Sequence, residues 1–291
     1  MRYDRLLEGK RCAVTSGAHG MGYSIARLFV RHGAQVAICG RDPSGEKAGE
    51  TLREITPGSF FYRCDLSDKT GTEGFAEEIL RRWGGADVLV CNAGVNRKEL
   101  VIDITDENRN YVNDVNLLSA LTMTQKLLPG MMERGSGSII YISSMNALAP
   151  SPRTGSYVMS KGAVQALMKV TAVEAGPSGV RVNAICPGWV ATTYLRADIE
   201  AAGGGIEGAE KALEFLDGSA PLISPARAED IANHALFLAS DLSAFVSGVI
   251  LKSDGGATIQ ERAYAYPEPS NGREMRLEHY ETILEEMASV P

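Results

Sequence analysis

Tyr157 and Lys161 stand four residues apart in a stretch of helical periodicity, a spacing that puts both side chains on one helix face about 6 Å apart. An ammonium beside a phenol favours the phenolate and draws its pKa down from about 10 toward neutrality, as a general acid or base requires. With 10 tyrosines in the chain the spacing alone arises readily by chance, so its surroundings decide. Ser143 and Ser144 close an apolar run upstream, where Ser144 is placed to donate a hydrogen bond to a carbonyl oxygen as an oxyanion-hole donor does. Asn92, Ala93 and Gly94 follow another such run, and Asn116 lies in the helical stretch after it. Near the start, Thr15, Ser16, Gly17, Ala18, His19, Gly20, Met21 and Gly22 join the first apolar run to the first helical stretch. A glycine-rich turn there lets the backbone approach a pyrophosphate and aims free helix N–H groups at it, although a structural tight turn reads the same way.

The elements that must position these groups alternate along the chain. Apolar runs at Cys12–Val14, Val36–Cys39, Phe60–Cys64, Val88–Cys91, Ile139–Ile142, Val180–Ile185 and Val249–Leu251 lack the alternation of half-exposed strands and read as buried strands of a parallel sheet. Amphipathic stretches lie between them at Met21–His32, Lys47–Ile55, Phe75–Trp83, Tyr111–Arg134, Tyr157–Ala175 and Ala228–Ala239. The pattern predicts an α/β fold: a single doubly wound Rossmann domain over residues 1–256, its parallel seven-stranded sheet covered by helices on both faces. The candidate residues then fall at the carboxyl ends of the strands, where open α/β sheets bind ligands. Two segments break the rhythm. Residues 193–225 carry Gly203, Gly204 and Gly205 inside helix-like sequence and read as a substrate flap. The extension 257–291 places Leu277, Tyr280, Leu284 and Met287 on one face of a C-terminal helix opened by Asn271 and Glu274.

Of the 291 residues, 44% are hydrophobic and 22% charged, ordinary globular usage that excludes a disordered or collagenous protein. The net charge of −7 gives no field that would draw the chain to nucleic acid or to an anionic membrane, so any phosphate must be held locally. Five single cysteines with no CxxC pair read as reduced core thiols, and with no apolar leader or span the expected location is cytoplasmic. The four histidines have no metal-ligand spacing, so no metal is expected.

From Leu7 to Gly256 the sequence resembles the short-chain dehydrogenase/reductase family. Thr15 to Gly22 resembles its cofactor turn, Asp65 its adenine contact, Asn92 to Gly94 its sheet-stabilising motif, and Asn116, Ser144, Tyr157 and Lys161 its catalytic tetrad. Asn183, Pro187, Gly188 and Thr192 match the segment that holds the nicotinamide, and Asp254, Gly255 and Gly256 the closing motif. The resemblance implies hydride transfer between a nicotinamide and a carbonyl or secondary alcohol. Tyr157 would exchange the proton, Lys161 would hold the ribose, Ser144 would polarise the carbonyl, and Asn116 would position a relaying water. It further implies cofactor contacts from Thr15, Ser16, Gly17, His19, Gly20, Met21, Gly22, Arg41, Asp65, Leu66, Asn92, Ala93, Gly94, Tyr157, Lys161, Pro187, Gly188, Val190 and Thr192. Ser16 departs from the family by standing where a glycine is usual, a substitution that requires an ordinary φ.

After the second strand come Gly40, Arg41, Asp42 and Pro43. Asp42 reads as the N-cap of the next helix with Pro43 at its first position, which leaves Arg41 free to meet a 2′-phosphate and favours NADP(H) over NAD(H). A solvated loop arginine, with NAD as cofactor, is the alternative. Asn96, Met145, Asn146, Trp189 and Tyr194 are the expected substrate contacts, a mixture suited to a mid-sized, cyclic or polyhydroxylated ketone or alcohol. An acyl-carrier-bound substrate is disfavoured by the acidic charge. A nicotinamide-sensing protein without chemistry, an NAD-dependent dehydrogenase of a sugar acid or polyol, and an isomerase or dehydratase remain open. Family resemblance also implies a homo-oligomer, a tetramer or dimer.

Overall fold

The structure, a computed structural model, describes residues 4–191 and 226–259. Each apolar run is a strand: β1 (Arg11–Val14), β2 (Gln35–Gly40), β3 (Phe60–Arg63), β4 (Val88–Cys91), β5 (Gly137–Ile142) and β6 (Val180–Pro187), with β7 (Val190–Ala191) and β8 (Ala226–Arg227) forming a separate short pair before β9 (Ile250–Ser253). The seven main strands make one parallel sheet in the order β3-β2-β1-β4-β5-β6-β9. Helices α1 (Gly20–Arg31), α2 (Gly45–Ile55), α3 (Lys69–Trp83), α4 (Asp106–Asn113), α5 (Ser119–Glu133), α6 (Gly155–Ala175) and α7 (Ala228–Ala239) are the crossovers.

Both faces of the sheet are covered, which is why β1, β2, β4 and β5 are almost wholly buried and show no polar alternation. Ile25 and Phe29 of α1, Leu52 of α2 and Ile231 of α7 pack with Val14, Ile38, Val90 and Ile140 on one face. Phe75 and Ile79 of α3, Met123 of α5 and Met168 of α6 pack with Ala13, Leu89 and Tyr141 on the other. The five cysteines are free and buried, four of them within these layers.

Strand order reverses between β1 and β4, so the loops leaving their carboxyl ends diverge and open a crevice. At the opposite end the two strands are tied together: the Arg11 guanidinium donates to both oxygens of Asp87 at 3.0 and 2.8 Å and to the Trp83 carbonyl at 2.6 Å.

Two expectations are corrected. The helical pattern over Tyr111–Arg134 is interrupted by a π turn, Asp114–Leu118, between α4 and α5. Such a turn admits an extra residue, and here Asn116 sits in it with its side chain bonded to another loop. Helix α2 begins at Gly45 with Ser44 as N-cap, not at Pro43 with Asp42 as cap. Asp42 instead closes an Asx turn, its Oδ1 accepting from Ser44 N at 2.8 Å and its carbonyl from Gly45 N at 3.1 Å. Thr192, Tyr194, the flap at 193–225 and the C-terminal helix lie outside the described residues.

Candidate active site

The crevice is built first from the β1–α1 turn. Thr15 Oγ1 accepts from Asn92 N at 2.9 Å and Ala93 N at 3.1 Å, while the Asn92 amide returns bonds to the Thr15 and Ser16 carbonyls at 3.0 and 3.1 Å. Asn92 therefore fastens the glycine-rich turn to the end of β4. A Cβ on Gly22 would collide with the Ser16 carbonyl and the Asn92 amide, and one on Gly17 with Ile38, so glycine is required at both. Ser16 has φ +52°, in the left-handed region, contrary to the expectation of an ordinary φ. Its side chain is exposed and small and its carbonyl is held by Asn92, which is how a residue other than glycine is accommodated. Helix α1 starts with no side-chain cap and no acidic residue in its first turn, so its N–H groups and dipole remain available to an anion. This glycine cradle fits a dinucleotide pyrophosphate.

At the centre of the crevice Lys161, on α6, is buried. Its ammonium donates to the Ile142 carbonyl at 2.7 Å and the Ala93 carbonyl at 3.4 Å, and stands 5.9 Å from the centre of the Tyr157 ring. Burial lowers the Lys161 pKa to about 8. A Cβ on Gly94 would come within 3.1 Å of its Nζ, so the bare backbone there makes room for the ammonium. Ser143 Oγ donates to the Lys161 carbonyl at 3.1 Å and accepts from the Gln165 amide at 3.0 Å, a fixture that sequence reasoning missed. Asn116 is buried and doubly engaged: its Oδ1 accepts from Val95 N at 2.7 Å, and its Nδ2 donates to the Val95 carbonyl at 3.0 Å and Ser160 Oγ at 2.9 Å. Ser160 in turn donates to the Tyr157 carbonyl at 2.7 Å, so the loop after β4, the π turn and the start of α6 form one connected body.

Ser144 Oγ accepts from Asn146 N at 3.1 Å, which occupies a lone pair and leaves the hydroxyl hydrogen to point elsewhere. Asn146 is itself held through Oδ1 by Ser151 Oγ at 3.0 Å, and Met145 is buried beside it. Asn96 Oδ1 and Trp189 Nε1 are buried without a hydrogen-bond partner among the described residues. Gly188 packs against Asp254, whose carboxylate accepts from Gly256 N and from the Thr258 N–H and hydroxyl, locking the closing motif. Asn183 is spent on structure, bonding the Val246 carbonyl and Val249 N within the sheet.

At the β2 end Arg41 is exposed and reaches Asp65 at 3.6 Å. Tyr111 and then Asp65 raise its pKa, holding the guanidinium charged. Asp65 Oδ1 accepts from Ser67 N and Oγ at 2.9 and 2.8 Å, and Leu66 is buried beside it. Tyr111, which also lies under Arg97 at 4.9 Å, and Ser44 are groups of this end that the sequence motifs do not flag.

A family model described as enoyl-(acyl carrier protein) reductase matches residues 16–258. The chain belongs to the short-chain dehydrogenase/reductase family. It is 35% identical over 262 residues to an uncharacterized short-chain type dehydrogenase/reductase of Sinorhizobium fredii, covering 87% of this chain and 99% of the relative. It is 33% identical over 256 residues to the 3-oxoacyl-[acyl-carrier-protein] reductase of Thermotoga maritima, covering 87% and 99%. Among solved structures, L-sorbose reductase from Gluconobacter frateurii, complexed with NADPH and L-sorbose, superposes with a TM-score of 0.83 at 27% identity over 89% of this chain and 100% of that one. As a member of this family the protein is an NAD(P)-dependent oxidoreductase acting on CH–OH and C=O groups. Among the described residues no helix is long and apolar enough to cross a membrane.

The double engagement of Asn116 makes a stability prediction. In Asn116→Asp a carboxylate cannot donate to the Val95 carbonyl or Ser160, and the loss of buried donors costs about 1–3 kcal/mol of unfolding free energy. Urea unfolding of the two proteins measures it, and equal stability would show that the contacts contribute nothing.

Proposed function

We propose that this dehydrogenase/reductase is an NADP(H)-dependent reductase of a small polar ketone. The reading rests on one observation above all, the convergence of the Tyr157 ring, the buried Lys161 ammonium and the capped Ser144 on the crevice beside the glycine cradle. When bound, the nicotinamide supplies or accepts the hydride. Tyr157 gives the proton to the developing alkoxide in reduction and takes it back in oxidation. Lys161 favours the phenolate electrostatically and donates to the ribose hydroxyls. Ser144, with its lone pair tied to Asn146 N, donates its hydroxyl hydrogen to the carbonyl oxygen. Asn116 holds the π turn in place so that a water can relay protons to Lys161. Arg41 meets the 2′-phosphate and Asp65 the adenine.

A polar, hydroxylated substrate is supported by the two unpartnered polar atoms of the pocket loops, Asn96 Oδ1 and Trp189 Nε1, which a hydroxyl-bearing ligand would satisfy. It is also consistent with the L-sorbose bound by the Gluconobacter protein. The acidic net charge of −7 disfavours an acyl-carrier-bound substrate. Val170 and Val173 on α6 are 48% and 77% exposed, and an apolar helix face of that kind supports association of copies, a dimer or tetramer. The Rossmann unit is assigned to residues 1–256 and the extension to 257–291.

Mixing the purified protein with NADPH and a panel of ketoses and cyclic ketones, and following absorbance of the reduced nicotinamide, tests the reading. Tyr157→Phe loses at least about a hundredfold in kcat with unchanged cofactor affinity, the scale of a lost general acid. Near-normal turnover in that variant would remove Tyr157 from the chemistry. Arg41→Ala raises KM for NADPH about tenfold while leaving KM for NADH nearly unchanged, since a charge-assisted contact is lost in only one complex. Equal changes in both would assign the 2′-phosphate elsewhere.

A further inference from the structure

Ser144 and Tyr157 hang on one short segment, residues 151–154, just before α6. On one side Ser151 Oγ donates to Asn146 Oδ1 at 3.0 Å, and the Asn146 N–H donates to Ser144 Oγ at 3.1 Å. On the other the Thr154 carbonyl accepts from Val158 N at 2.8 Å, closing the first turn of α6, in which Tyr157 lies. Thr154 Oγ1 ties the segment to itself by donating to the Ser151 carbonyl at 2.6 Å. Within it Arg153 has φ +64°, a left-handed conformation that a residue with a Cβ keeps only when its surroundings hold it. The contact at that point comes from Glu99, on the loop after β4. Its N–H donates to the Arg153 carbonyl at 3.0 Å, and it forms an isolated parallel bridge with Thr154. Its side chain reaches the other way, Oε1 accepting from Asn108 Nδ2 at 2.8 Å in the first turn of α4. The Asn108 N–H is fixed in turn by the N-cap Thr105 at 3.2 Å. Glu99 Oε2 is buried with no hydrogen-bond partner among the described residues, a cost that stability alone does not explain. Further along the same loop Ile104 lies so near Gly155 that a Cβ there would meet it at 2.8 Å, so the loop packs directly on the start of α6.

We propose that Glu99 is a positioning residue: its carboxylate, anchored on Asn108, keeps the left-handed turn at Arg153 closed and so fixes Tyr157 relative to Ser144. Those two residues carry the proton transfer and the carbonyl contact on the reading given above, on which this inference rests. Glu99 acts through backbone, by way of the Arg153 carbonyl and the bridge to Thr154. With the anchor gone, the Glu99 N–H is no longer held against Arg153, and the turn relaxes toward a conformation that suits a side chain better. Residues 151–154 then shift, and the two hydroxyls lose their common alignment. Proton transfer and carbonyl polarisation depend steeply on that alignment, whereas binding of the cofactor in the glycine cradle does not. The loss therefore falls on kcat and spares KM for NADPH.

Steady-state kinetics with NADPH and L-sorbose, D-fructose or cyclohexanone test this on the full chain. Glu99→Ala lowers kcat about tenfold and leaves KM for NADPH within about twofold of the wild type. Glu99→Gln, which keeps an oxygen for the Asn108 amide, retains kcat. Arg153→Gly adopts φ +64° at no steric cost, so it retains kcat alone and restores most of it when combined with Glu99→Ala. Wild-type kcat in Glu99→Ala, a Gln variant as slow as the Ala variant, or a double variant no faster than Glu99→Ala overturns the role of Glu99. Asn108→Ala removes the same anchor from its other end and carries the same expected fall and the same rescue by Arg153→Gly. It serves if Glu99→Ala does not fold, and an unchanged kcat in it is equally fatal. A wild type that reduces none of these ketones, or undiminished turnover in Tyr157→Phe, overturns the reading of the site and the role of Glu99 with it. The two failures are thereby distinct.

Discussion

A lysine ammonium taken out of water must find acceptors, and the arrangement of this site follows from how Lys161 finds them. Its two backbone partners are the carbonyls of Ile142 at the end of β5 and of Ala93 just beyond β4. They converge because β4 and β5 are paired in parallel with Cys91 opposite Tyr141, so the two strand ends deliver their last carbonyls to one point. The same arrangement leaves a tight fit for any side chain at residue 94, has Ser143 and Gln165 at the turn of α6 that carries the lysine, and has Tyr157 one helical turn away. A charge is thus buried without a counter-ion among the described residues, and burial moves its pKa to about 8. That is the condition under which it can tune a neighbouring phenol at ordinary pH.

The second half of the crevice works differently. The glycine-rich turn is held by neutral hydrogen bonds from Asn92 and Thr15, and an uncapped helix start and the exposed Arg41 guanidinium flank it. The chain carries a net charge of −7, so attraction of a phosphate-bearing ligand would have to come from this rim and not from the whole surface.

The sheet, its helices and the nearness of Tyr157 to Lys161 were legible because their signals are local. Unalternating apolar runs such as Val88–Cys91 mark doubly covered strands, and the four-residue interval from Tyr157 to Lys161 is a helix-face interval. What escaped depends on contacts between distant segments. The π turn at Asn116 exists together with a bond to Val95, 21 residues away, and no periodicity announces it. Ser16 takes a left-handed conformation because Asn92, 76 residues on, holds its carbonyl. Asp42 was expected to cap α2, but it closes an Asx turn and the helix starts after Ser44, a matter of side-chain geometry rather than residue type. Tyr111 and Gln165 belong to no motif, and their contacts, like the pairing of His19 with Ser44, become visible only when distant parts of the chain share one crevice.

The buried ammonium can be observed directly. With lysines labelled at the ε carbon and the Lys161 resonance assigned from its absence in Lys161→Arg, a pH titration by nuclear magnetic resonance reports the midpoint in the cofactor-free protein. Burial between the two strand ends predicts a midpoint of about 8. A midpoint near the solvent value of about 10.4 would show that water reaches the ammonium and would contradict the role given to its burial.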